Sequence, residues 1–105
     1  MALTLSLQDP KALSVPDDKT IWIEHLAHCE SSGDPTKTTL DTNGYYSRGL
    51  LQFQMATWLS YKHLGTTKEN IYDADLQRKV ARYILEKGGE MNWATCVGKI
   101  GHYPI

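Results

Sequence analysis

The stretch His28-Cys29-Glu30-Ser31-Ser32-Gly33 decides how this chain is read. Behind it, residues 19–31 have helical spacing. Trp22, Leu26 and Cys29 fall on one stripe, and Ile23, Ala27 and Glu30 fall on the adjacent one. A carboxylate therefore continues an apolar stripe instead of a polar face. Asp17 or Asp18 is placed to cap the start of this helix. Gly33 and Asp34-Pro35 stop it. The pattern predicts a helix over 19–31 whose last turn carries a partly buried glutamate beside a cysteine.

Beyond the turn comes Asn43-Gly44-Tyr45-Tyr46-Ser47-Arg48-Gly49-Leu50-Leu51-Gln52-Phe53. Asn-Gly is a strong hairpin signal, with Thr39 to Asp41 and Tyr45 to Ser47 as its short strands. Strands this short cannot form a sheet core, so they predict a β-flap on a helical body. Residues 53–64 are expected as a helix with Phe53, Met55 or Ala56, and Trp58 inward, stopped by Gly65. Residues 66–74 read as a loop. Residues 74–87 carry the clearest helical pattern, with Leu76, Val80, Tyr83 and Ile84 on one side and Gly88-Gly89 at the end. Asn92 to Lys99 predict a last short helix that brings Trp93 and Cys96 back. Pro10 and Pro16 break any helix near the start, so residues 1–17 are expected as an arm and residues 18–105 as the domain. The fold class is α+β, mainly α, with no internal repeat.

Composition excludes several functions. The chain has 105 residues, which is one small domain, with 41% apolar and 22% charged residues. A net charge of −1 argues against a nucleic-acid footprint and against holding an acidic polymer by charge alone. Three Trp, six Tyr and one Phe suit core packing and also stacking on sugar faces. No apolar run approaches the roughly 18 residues of a membrane span. Met1 to Leu7 lacks the basic start and long apolar run of a signal peptide. Cys29 and Cys96 make neither a CxxC nor a zinc-knuckle spacing. In a cytosolic protein they would be buried thiols; in an exported domain of this size, one disulfide.

His25 and His28 stand three apart on the first helix, as a metal pair would, but only Glu24 or Glu30 could join them and there is no HExxH order. Surface histidines are the simpler account, and no metal is expected. Arg78, Lys79 and Arg82 form a basic patch that reads as a solvated face. There is no GxGxxG, P-loop or Ser-His-Asp arrangement, and no cofactor is expected.

The chemistry that fits Glu30 is glycoside cleavage, which needs a neutral carboxylic acid at the leaving oxygen. Two features disfavour the charged form of Glu30. Its apolar stripe buries it, and it sits at a helix C-terminus, where the macrodipole is negative. A solvated helix-end residue is the bland alternative.

From Trp22 to Gly101 the chain resembles the catalytic domain of actinobacterial resuscitation-promoting factors, relatives of lysozymes and soluble lytic transglycosylases. The resemblance rests on Cys29-Glu30-Ser31-Ser32-Gly33, Asn43-Gly44-Tyr45-Tyr46, Gly49-Leu50-Leu51-Gln52-Phe53, Thr57-Trp58 and Trp93-Ala94-Thr95-Cys96, in the family's order and with similar spacings. Two departures stand out. Ser47-Arg48-Gly49 is about one residue longer than the family's Gly-Gly and looks more like the Ser-x-Gly-Leu-x-Gln motif of soluble lytic transglycosylases. Ala94 stands where a proline is usual.

The resemblance implies a lysozyme-like helical domain with a β-flap across a glycan groove. It makes Glu30 the catalytic acid and Cys29 and Cys96 a disulfide pair. It places Tyr46, Gln52 and Thr57 on sugar hydroxyls and acetamido groups, with Tyr45 and Trp93 in the groove or the core. Hen-type lysozymes carry an aspartate where this chain has Ser47, so Ser47 would bond the acetamido group or Glu30 instead of carrying charge. Asp41 is the nearest acid on the flap and reads as a hairpin residue.

One carboxylate implies transglycosylation with a 1,6-anhydromuramic product. The implied function is a peptidoglycan-cleaving lytic transglycosylase or muramidase acting on the MurNAc-β-1,4-GlcNAc bond. Such a protein would be secreted or associated with the cell wall. It would be monomeric, with glycan strands as its partner and no nucleic acid or membrane span. A non-catalytic glycan-binding module and an antibacterial effector with the same chemistry are the alternatives.

Overall fold

The first helix, α1, spans Asp18–Ser31. Its N-cap is Asp17, whose Oδ1 accepts the Thr20 N–H at 2.7 Å. Hydrogen bonds from Thr20, and then from Arg82, hold the Asp17 carboxyl down to about 2. Trp22, Ile23, Leu26 and Ala27 are buried along the stripe that the spacing predicted. At the C-terminal end it is Ser32 that first turns left-handed, at φ +57°, and its N–H donates to His28 O at 2.9 Å. The computed structural model describes residues 16–105; the arm expected over residues 1–17 lies outside them except for its last two residues.

The remaining elements are β1 (Thr38–Leu40), β2 (Tyr46–Arg48), β3 (Phe53–Gln54), α2 (Met55–Leu59), α3 (Ala74–Glu86) and α4 (Ala94–Ile100), with 3-10 turns at Lys62–Leu64 and Glu90–Trp93. The fold is α+β and mainly α, as expected. The strands form one antiparallel sheet in the order β1-β2-β3. Asp41 N–H donates to Tyr45 O at 2.9 Å, which closes a three-residue Thr42-Asn43-Gly44 turn with Gly44 at φ +86°. That is the three-residue hairpin in which the last turn residue must go left-handed.

The helix expected over 53–64 is corrected. Phe53 and Gln54 are a third strand paired with Arg48 and Ser47, and the helix runs only from Met55 to Leu59. The cause is the tight turn before it. Gly49 at φ +86° and Gln52 at φ +57° fold Gly49-Leu50-Leu51-Gln52 back along β2. Strand pairing of this kind leaves no mark in a helical periodicity.

The core joins Leu50, Leu51, Phe53 and Trp58 from the flap side to Val80, Ala81, Ile84 and Leu85 of α3 and to Trp93 and Val97. Phe53 packs edge-on against Trp58 and Trp93, with ring centroids 5.0 and 5.7 Å apart. One polar side chain sits inside this core. Gln77 is fully buried; its Oε1 accepts from Leu51 N at 2.7 Å, and its Nε2 donates to Arg48 O at 2.9 Å and Ile71 O at 2.5 Å. It replaces the strand partners that a flap of this length lacks.

Cys29 and Cys96 form a disulfide with Cα atoms 5.9 Å apart, tying the end of α1 to α4 across 67 residues. The basic patch is largely neutralised. Arg78 pairs with Glu24 and Asp75 at 2.8 Å each, and Arg82 pairs with Asp17 at 3.2 Å.

Candidate active site

A cavity of about 430 Å³ opens between α1, the flap and the segment Met91–Thr95. Glu30 enters it from the last turn of α1. Asp41 comes from the hairpin just after β1, Ser47 and Gln54 from the sheet, Gln52 from the tight turn, Thr57 from α2, and Trp93 from the far side. Five residues singled out in the sequence, Glu30, Ser47, Gln52, Thr57 and Trp93, line this one cavity.

Glu30 is half-buried, and its carboxyl is pushed up to about 6. Burial is the main cause, the negative charge of Asp41 acts in the same direction, and Lys37 and Lys99 oppose it. Lys37 stays off the carboxylate by donating its Nζ to Glu30 O at 3.0 Å. An acid so placed is protonated in a useful fraction of molecules near neutral pH and can give its proton to a leaving oxygen.

Ser47 departs from expectation. It is 8% exposed, and its hydroxyl donates to Asp41 Oδ2, not to Glu30. Gln54 Nε2 donates to the same oxygen at 2.7 Å. Asp41 is thus a hairpin residue by position and a groove residue by side chain. The strand register explains both. Thr39 pairs with Ser47 and Ser47 with Gln54, so alternation sets Asp41, Ser47 and Gln54 on one face of the sheet. The signal was present in the spacing Thr39, Asp41 against Tyr45, Ser47, but it needed the register to be read.

The same alternation removes Tyr46 from the groove. Tyr45 and Tyr46 are 68% and 46% exposed and line a separate cavity with Arg48 and Met55, where the Arg48 guanidinium lies 5.6 Å from the Tyr46 ring centroid. Gln54 borders both cavities. Gln52 uses its amide nitrogen to tie Gly49 O at 2.8 Å and Lys37 O at 3.1 Å, so it shapes the groove floor as well as facing it. Trp93 is core and groove at once: it is 5% exposed and donates its indole N–H to Leu51 O at 2.8 Å. Met91, Asn92 and Thr95 also line the wall; Thr95 lies in the motif Trp93-Ala94-Thr95-Cys96, whereas no motif in the sequence marked Met91 or Asn92.

Among the described residues no cluster of three His, Cys, Asp or Glu side chains is arranged to hold a metal ion. His25 and His28 are exposed on α1.

No curated protein and no solved structure matches this chain significantly. A family model does. It is that of the transglycosylase-like domain, it matches residues 17–96, and the stretch from the N-cap of α1 to the second cysteine holds every groove residue named above. The chain belongs to the transglycosylase-like domain family.

Proposed function

We propose that this protein cleaves the β-1,4 bond between N-acetylmuramic acid and N-acetylglucosamine in peptidoglycan, with Glu30 as the catalytic acid. The observation that carries the proposal is the Glu30 carboxyl, half-buried in the wall of an open groove and raised to about 6. Family membership supports the wider class, a glycosidase-type enzyme acting on glycan. Glu30 gives its proton to the bridging oxygen, the C1–O4 bond breaks, and positive charge develops at C1 of the muramic residue. Gln52, Thr57 and Trp93 line the groove where the sugars lie. Tyr45 and Tyr46 extend the aromatic surface around the flap, where further sugars of a long strand reach. The substrate partner is the glycan strand, and the protein acts as a monomer.

The disulfide fits an oxidising compartment. Among the described residues no helix is long and apolar enough to cross a membrane. Both accord with action at the cell wall after export.

The test is digestion of purified peptidoglycan by the wild type and by Glu30→Gln. Glutamine keeps the volume but has no proton to give and recover. Muropeptide release is expected from the wild type only. Equal release by both would overturn the role of Glu30, and no release by either would leave a glycan-binding module.

A further inference from the structure

Two nucleophiles can finish the reaction that Glu30 starts: the 6-hydroxyl of the sugar or a water molecule. We propose that Asp41 is the catalytic base of this site and directs water to C1, so that the enzyme is a hydrolase. This rests on the cleavage reading above and adds the nucleophile to it.

The geometry for it is in the flap. Asp41 Oδ2 accepts from Ser47 Oγ and from Gln54 Nε2. Two donors on one oxygen fix the plane of the carboxylate and leave Oδ1 for substrate or solvent. Gln54 is itself held, with its Nε2 also donating to Asn43 Oδ1 at 3.1 Å and Asn43 Nδ2 donating back to Gln54 Oε1 at 3.2 Å. Asp41 is therefore an oriented group. Among the described residues neither Asp41 nor Glu30 makes an ion pair, and the two are not hydrogen-bonded to each other. They reach the same cavity from different walls, one from the hairpin and one from a helix end.

The cavity of about 430 Å³ holds a sugar ring and a water, which occupies about 30 Å³ in the liquid. Glu30 and Asp41 both line this cavity, and a pair of carboxylates set far enough apart to admit a water is the arrangement that an inverting glycosidase uses. The charge of Asp41 also helps to keep the proton on Glu30, so each carboxylate supports the role of the other. Ser47, where a second carboxylate was sought, instead holds the one just after the neighbouring strand.

The step balances. The Glu30 proton passes to O4 of the leaving sugar as C1–O4 breaks. The water oxygen bonds to C1 from the other side, and its proton passes to Asp41 Oδ1. The product is a reducing muramic end born in the α configuration. Solvent then returns a proton to Glu30 and takes one from Asp41.

Digestion in ¹⁸O-labelled water tests this with the whole chain. Most new muramic ends are expected to be reducing and to carry one ¹⁸O; anhydro ends are lighter by one water and carry none. Asp41→Asn is expected to lower kcat by about 10²- to 10⁴-fold, with KM and the unfolding midpoint little changed. Sodium azide added to Asp41→Ala is expected to give an α-glycosyl azide, because azide attacks without losing a proton. Anhydro ends as the main wild-type product would overturn the proposal. So would a wild-type rate in Asp41→Asn. Either result leaves cleavage by Glu30 standing, whereas absence of any wild-type cleavage removes the reading on which the proposal rests.

Discussion

Gly49 and Gln77 approach so closely that a Cβ on Gly49 would lie 2.3 Å from Gln77 Nε2. The contact fixes the flap to α3 at the point where the chain turns from β2 toward β3. Gly49 also holds φ +86°, which a residue with a side chain resists. Gly49→Ala is expected to cost about 3 kcal/mol, from the left-handed backbone and the overlap together. Urea unfolding measures it; a loss below about 0.5 kcal/mol would show that Gln77 moves aside freely.

Gln77→Leu tests the other half of the contact. It leaves Leu51 N–H without its acceptor, and Arg48 and Ile71 carbonyls without their donor, inside a packed core. A loss of about 2–4 kcal/mol is expected, with the flap amides of residues 48–52 exchanging faster than those of α3. Unchanged exchange in the flap would mean that Gln77 does not hold it.

Glu30 makes stability depend on pH in a stated direction. Its folded value of about 6 stands above the ordinary 4.5, so the charged form is disfavoured by folding. Its contribution is fully present below about 4.5 and is lost as pH rises through 6. Discounted for solvent screening at this half-buried position, the loss is about 1 kcal/mol at pH 7. Glu30→Gln carries no charge and is expected to be more stable than the wild type by about that amount at pH 7, with the gap closing by pH 4. Equal unfolding midpoints at pH 7 would show that Glu30 is solvated.

On the role proposed for Glu30, the same group sets the activity profile. The acid must be protonated, so kcat/KM is expected to fall about tenfold per pH unit above the Glu30 value of about 6. A profile flat from pH 6 to pH 8 would remove Glu30 as the acid.

Cys96→Ser opens the 67-residue link and is expected to cost about 4 kcal/mol on the chain-entropy account. Alkylation of the native protein without reductant should label no thiol. Two labelled cysteines in the folded protein would contradict the bridge.

Ser47→Asp is expected to harm this site, although it restores an acid where hen-type lysozymes have one. The new carboxylate would meet Asp41 Oδ2 at hydrogen-bond range in a buried position. A loss of about 2 kcal/mol and slower cleavage are expected, recovered in part below pH 5 as one of the pair takes up a proton. A stable and faster variant would mean that the flap has room for both charges.

The amino-acid sequence by itself determined α1, α3 and the place of the half-buried Glu30. The stripe of Trp22, Ile23, Leu26 and Ala27 predicted α1 to within one residue, and the pattern over 74–87 predicted α3 as closely. Asn43-Gly44 marked the hairpin, and the apolar stripe that ends in Glu30 foretold its burial. These features are local: helical periodicity, capping and turn chemistry are written over a few neighbouring residues.

Only the tertiary structure decided which groups meet. The pairing of Gln54 with Ser47 made β3, and the pairing of Thr39 with Ser47 turned Asp41 into the groove and carried Tyr46 out of it. The burial of Gln77 under Leu51 depends on contacts 26 residues apart. Strand register moves every side chain to the opposite face with a slip of one residue, and no local pattern in strands this short fixes it. The half-buried glutamate was therefore legible in the chain, while the carboxylate that shares its groove depended on how the sheet closed.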